Sequence, residues 1–227
     1  MKKFIKVTAL LFSIFTLSLS VFIVGCASSD QLSNHLSELK SDIFYGESQN
    51  YTIKASYGFI ETPYVNDGAV KTIENTLSFR LVGKESDNTS YSVTLSFNGK
   101  DYKSDFKFHP VNDTLSATII IDDFNQKEFS VNIVSASLSE KVVLKSILPK
   151  DTLDYKTALN HLNKEQASLI KSYLDADGNF TAEIYMRVLV KDEKPYYYVG
   201  FASGNDKLKA LLVDGLTGKT LAIREIF

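Results

Sequence analysis

The sequence is poor in the residues that usually carry chemistry or covalent support. Its only cysteine is Cys26, so no disulfide can form within the chain and packing alone must hold any fold. Tryptophan is absent and proline occurs four times. The three histidines, His35, His109 and His161, are far apart and in no metal-ligand spacing. No Gly-x-Ser-x-Gly elbow occurs, which removes the usual serine-hydrolase signature. No metal, no cofactor and no catalysis are therefore expected. The chain also lacks a concentrated basic stripe and has a formal net charge of −2, a poor match to nucleic acid.

What is present begins with the first residues. "MKKFIK" is basic, and Val7 to Val24 carry no charged side chain. A basic start, an apolar run and then small residues read as an export signal. An uncleaved membrane-spanning helix is the competing reading, since about 20 apolar residues cross a bilayer. Five serines and threonines dilute the run, and Gly25 and Ala27 flank the cysteine; both details favour export. Without Lys2, Lys3 and Lys6 the basic count falls from 25 to 22 against 27 acids, about −5.

Ile23-Val24-Gly25-Cys26 resembles the lipobox of bacterial lipoproteins, with Val at −2 as a small departure. The resemblance implies that residues 1–25 are a signal peptide and that Cys26 is the lipidation site, carrying a diacylglycerol thioether. Two or more acyl chains give stable anchoring where one does not. The expected location is the outer face of a bacterial cell membrane, with Cys26 an attachment point and not a nucleophile.

Behind the cysteine, residues 26–44 are expected to form a tether and a short amphipathic helix. Leu32, Leu36, Leu39 and Ile43 recur at spacings of four, three and four, which places them on one helical face, with Asp30 as N-cap. From residue 45 to 149 the period becomes two. Tyr51, Ile53, Ala55, Tyr57 and Phe59 alternate with polar or small residues, as do Leu77, Phe79 and Leu81, then Tyr91, Val93, Leu95 and Phe97. Asn98-Gly99 marks a tight hairpin. About seven short strands with one apolar face each predict an immunoglobulin-like antiparallel β-sandwich.

Pro149 breaks this pattern. Tyr155, Ala158, Leu159 and Leu162, then Ala167, Ile170 and Leu174, have helical spacing. Asn163 with Gln166 looks like a capping-box variant that divides them into two helices. Four strands follow, and the expected fold class is α+β overall: the sandwich, then helices on a four-strand antiparallel sheet. "LNKEQASLI", "YYYVGFA" and "ALLVDGLTGKTLAIREI" make residues 150–227 similar to a PepSY-type domain, although Tyr196 to Tyr198 stand where many members place Trp. That resemblance implies a binding or inhibitory role and no catalysis.

Two apparent motifs dissolve on inspection. "DGLTGKT" would need a glycine at Val213 and a helix after Lys219 to hold phosphate, but a strand-like "TLAIREI" follows. "DADGN" would place Tyr173 and Ile184 at the first and twelfth positions of a calcium loop, and neither can coordinate the ion. The adjacent acids Asp122-Asp123 and Asp192-Glu193 read as turn charges. The candidate binding surface is aromatic: Tyr196 and Tyr198, which share one strand face, and Tyr64 in "PYVNDG". The sequence thus predicts a lipid-anchored, non-catalytic interaction module for a protein, peptide or cell-wall ligand. The alternative is an inhibitor or chaperone of an exported protease acting through residues 150–227.

Overall fold

The computed structural model describes residues 32–65, 68–82, 90–110, 114–204 and 207–226. The leader, the lipobox with Cys26, and Asp30 lie outside them. Of the described residues, 58% are in strands and 10% in helices, which corrects the α+β expectation to a mostly β chain. The strands are β1 (Leu36–Glu47), β2 (Thr52–Glu61), β3 (Ile73–Val82), β4 (Ser92–Phe97), β5 (Lys100–Asp105), β6 (Lys107–His109), β7 (Thr114–Ile120), β8 (Glu128–Val134), β9 (Ser139–Ser146), β10 (Glu183–Lys191), β11 (Lys194–Ser203), β12 (Lys207–Asp214) and β13 (Thr220–Ile226). The helices are α1 (Tyr155–Glu165) and α2 (Ala167–Lys171).

All thirteen strands belong to one hydrogen-bonded sheet. Strands β1-β2-β3-β7-β6 are neighbours in that order, and β5-β4-β8-β9 follow by pairing. The chain passes from β5 to β6 through Phe106, whose N–H is bonded to the Tyr91 carbonyl at 2.8 Å. At the other end β9 returns to β1 through Phe44↔Ser146 and Tyr45↔Lys145. The result is a nearly closed antiparallel barrel in place of the expected sandwich. Period-two patterning records only which side chains point inward, and that record is the same for a barrel as for two stacked sheets. Phe44, Ile53, Phe79, Ile133 and Leu144 fill the interior at 0–1% exposure.

The remaining strands form a wing. β10 to β13 make an antiparallel meander, and β10 joins the barrel by pairing parallel to β1. The expected separate four-strand sheet is therefore part of the barrel's own sheet. Helices α1 and α2 cover one face of the wing and bury Leu159, Leu162 and Ile170 against Met186, Val199 and Phe201. Asp154 caps α1, accepting from the N–H groups of Lys156 and Thr157 at 3.0 Å. The helices part at Gln166, and Asn163 is buried within α1 without capping α2.

β1 occupies the stretch expected to be helical. In a regular strand Leu36 and Leu39 would face opposite sides. Here a bulge between Leu36 and Glu38 sets three residues of β1 against two of β10, so Leu36 faces Ile184 and Leu39 faces Met186. A second bulge lies between Lys40 and Asp42. An inserted residue shifts side chains from one face to the other, and two of them imitate a helical spacing. Leu36 and Leu39 join the wing core, while Phe44 of the same strand lies in the barrel core.

Candidate functional site

The expected tyrosines fall on the wing face opposite the helices. Tyr197 points the other way: it is buried and donates its phenol to the Leu153 carbonyl at 2.5 Å. Tyr196 and Tyr198 are half-buried on the outer face. Tyr64 is 47% exposed and its hydroxyl is hydrogen-bonded to that of Tyr185. Tyr185 and Tyr198 both stand beside Gly200, where a side chain would meet their rings. Tyr64 thus meets Tyr185, a residue that sequence reasoning did not single out, while Tyr198 stands on the same face across Gly200. The loop bearing Tyr64 is tied down by two buried carboxylates: Glu61 accepts from Lys71 N–H at 2.9 Å, and Glu183 from Gly68 N–H at 3.1 Å.

Where the wing leaves the barrel, the outer faces of β1, β2, β3 and β7 meet β10 in an open groove of about 410 Å³. Four cations converge there from four strands: Lys40 of β1, Lys54 of β2, Arg80 of β3 and Arg187 of β10. Ser56, Ser78, Ser116 and Thr118 supply hydroxyls between them, and Ser78 and Thr118 approach to 3.5 Å. His109 is exposed at the end of β6 and lines the rim. No tyrosine is among the lining residues.

The register makes this arrangement unusual. Lys40 is the cross-strand partner of Arg187, and Lys54 is the partner of Arg80. Like charges directly opposite each other destabilise a sheet. One couple has a counter-ion: Glu38, 7% exposed, accepts from Arg187 Nη2 at 2.8 Å and lies 3.7 Å from Lys40 Nζ. Among the described residues, Lys54 and Arg80 form no ion pair. Burial holds the Lys40 ammonium below the usual lysine range, Glu38 opposes that shift, and the nearby charges of Arg187 and Arg80 add to it. The groove is a place where positive charge is crowded on an acidic chain.

The motifs set aside on spacing are turns. Asp214 Oδ1 accepts from the N–H groups of Leu216 and Thr217 at 2.9 and 2.8 Å, and Gly218 follows at φ +73. Asp175 Oδ1 accepts from Asp177 and Asn179 N–H in the same manner. Among the described residues no group of three or more His, Cys, Asp or Glu could hold a metal ion. His35 stacks edge-on against Phe180 at 5.1 Å, and burial lowers its pKa. Among the described residues no helix is long and apolar enough to cross a membrane. No family model matches the chain, and no curated protein matches it.

Proposed function

We propose that this chain is a lipid-anchored envelope protein on the outer face of a bacterial cell membrane. It acts as a non-catalytic binding module and receives an anionic ligand in the groove between barrel and wing. The observation that carries the binding site is the opposition of Lys54 and Arg80 in register with no ion pair to either among the described residues, beside a second opposed couple that shares Glu38. A sheet gains nothing in stability from that pairing, and locally unfavourable choices of this kind mark sites kept for function. The basic start, the uncharged run and Cys26 support the tether, because acyl chains on one sulfur hold a folded body at a bilayer.

Two measurements test the two halves of this reading. Cys26→Ala in the full chain should move the protein from the membrane fraction to the soluble fraction; retention in the membrane with the leader uncut would overturn the tether. The detergent-solubilised protein should bind a sulfonate cation-exchange resin at pH 7 despite a net charge of about −5 without the leader lysines, and Lys54→Ala/Arg80→Ala should elute at lower salt. Flow-through without retention would overturn the groove as an anion site.

A further inference from the structure

We infer that the ligand of this groove is a phosphodiester-linked polymer of polyol or sugar units, a deepening that rests on the groove being an anion site. The spacing of the cations asks for a multivalent ligand. Lys40 stands opposite Gly58 on β2, and Lys54 lies four residues from Gly58, roughly 14 Å along the strand at about 3.4 Å per residue. Arg187 on β10 and Arg80 on β3 have β1 and β2 between them, which is three strand spacings, or about 14 Å. One small anion cannot engage both couples at that separation. A chain with anionic groups at intervals can, running diagonally from Arg187 and Lys40 to Lys54 and Arg80.

Hydroxyls floor the groove beside the couples. Ser56 stands on β2 between Lys54 and Gly58, Ser78 lies opposite it on β3, and Ser78 Oγ approaches Thr118 Oγ1 of β7 to 3.5 Å. Hydroxyl groups donate to and accept from other hydroxyls, so this floor suits the polyol or sugar link between two phosphates. A single-stranded nucleic acid asks instead for a row of aromatic side chains on which successive bases stack, and among the lining residues Phe79 is buried and only His109, at the rim, presents an exposed ring. Guanidinium groups bind phosphate bidentately, and two of the four cations are Arg80 and Arg187.

The test uses the full chain in detergent and four probes: poly(glycerol phosphate), poly-glutamate, oligo(dT) and inorganic phosphate. Poly(glycerol phosphate) should bind at least tenfold more tightly than the others. Lys54→Ala/Arg80→Ala should weaken it at least tenfold and reduce the slope of log affinity against log salt by about 1.4, the loss of two phosphate contacts. Both residues are exposed and repel each other, so this variant should melt no lower than the parent and the loss cannot be assigned to unfolding. Equal binding of poly-glutamate, abolished by the same variant, would overturn the phosphate class and leave the anion groove standing. Equal binding of oligo(dT) would overturn the polyol class in favour of a nucleic acid. Competition by inorganic phosphate at matching concentration would overturn the bridging of two couples. Binding of no probe would overturn both the ligand class and the groove.

Discussion

Arg187 donates to Glu38 Oε2 at 2.8 Å across the one parallel strand pair that joins the wing to the barrel. Glu38 is nearly buried, and the same carboxylate faces Lys40 at 3.7 Å. It is the counter-ion that lets Lys40 stand opposite Arg187. Glu38→Gln should therefore cost stability and improve anion binding together. Losing hydrogen bonds to a charged group costs about 1.5–3 kcal/mol, while the groove gains a net positive charge. Thermal melting should fall, and elution from a cation-exchange resin should shift to higher salt. If both stayed unchanged, Glu38 would have no part in balancing the groove.

Gly58 fixes the bulge that turns β1. It pairs with Lys40 just before the register shift, and a Cβ there would lie 1.8 Å from the Leu39 carbonyl oxygen and 2.9 Å from the Lys40 Cα. Both contacts are backbone and cannot swing aside. Gly58→Ala should destabilise by at least about 3 kcal/mol, the upper end of overpacking costs. For a chain of this size that is a melting temperature lower by roughly 6–12 °C. A melting point within a degree or two of the parent would show that β1 can pair without its bulge.

The bulges of β1 mark the line between what the sequence disclosed and what it hid. Individual strands were legible wherever one face met a core, as with Ile53 and Ala55 or Val93 and Leu95, because alternation needs only local information. Asn98-Gly99 forms its hairpin with φ of 50 and 73, as the dipeptide alone predicts. Leu36 and Leu39 misled because the irregularity between Leu36 and Glu38 put both on one face at a helix-like spacing. Barrel closure was hidden because it rests on two residue pairs between β1 and β9, more than a hundred positions apart in the case of Phe44 and Ser146. The groove was hidden for the same reason. Lys40, Lys54, Arg80 and Arg187 look like scattered surface charges until register sets them in couples.

A second tight turn carries backbone cost that the sequence does not advertise. Asp192 and Glu193 join β10 to β11 with φ of 50 and 61, between the paired Lys191 and Lys194. Left-handed conformation costs a side-chain-bearing residue about 1–2 kcal/mol, and glycine returns part of that gain through its freedom when unfolded. Glu193→Gly should stabilise by about 0.5–1 kcal/mol in urea melts. Gly99→Ala provides the converse measurement, since φ is +73 there and nothing lies within 4 Å of the added carbon. Should Glu193→Gly destabilise, the turn would be held by side-chain contacts and not by backbone conformation.

Tyr197 sets an alkaline limit on the wing. Its ring is buried in the core beneath α1, and its hydroxyl donates to the carbonyl of Leu153. Burial pushes the phenol well above its ordinary range, and the charges of Asp154 and Asp42 push the same way. A folded-state pKa above the unfolded one means the folded chain keeps a proton that the unfolded chain releases. The stability linked to this group is therefore complete below about pH 10, the ordinary tyrosine value, and is lost as pH rises toward the folded value. Tyr185 shifts upward for the same leading reason and adds to the slope. Tyr197→Phe removes one hydrogen bond, costing about 1 kcal/mol at neutral pH, and removes that group's share of the alkaline loss. The two stability curves should converge between pH 9 and about pH 11 in urea melts, and curves that stayed parallel would place the alkaline sensitivity elsewhere in the chain.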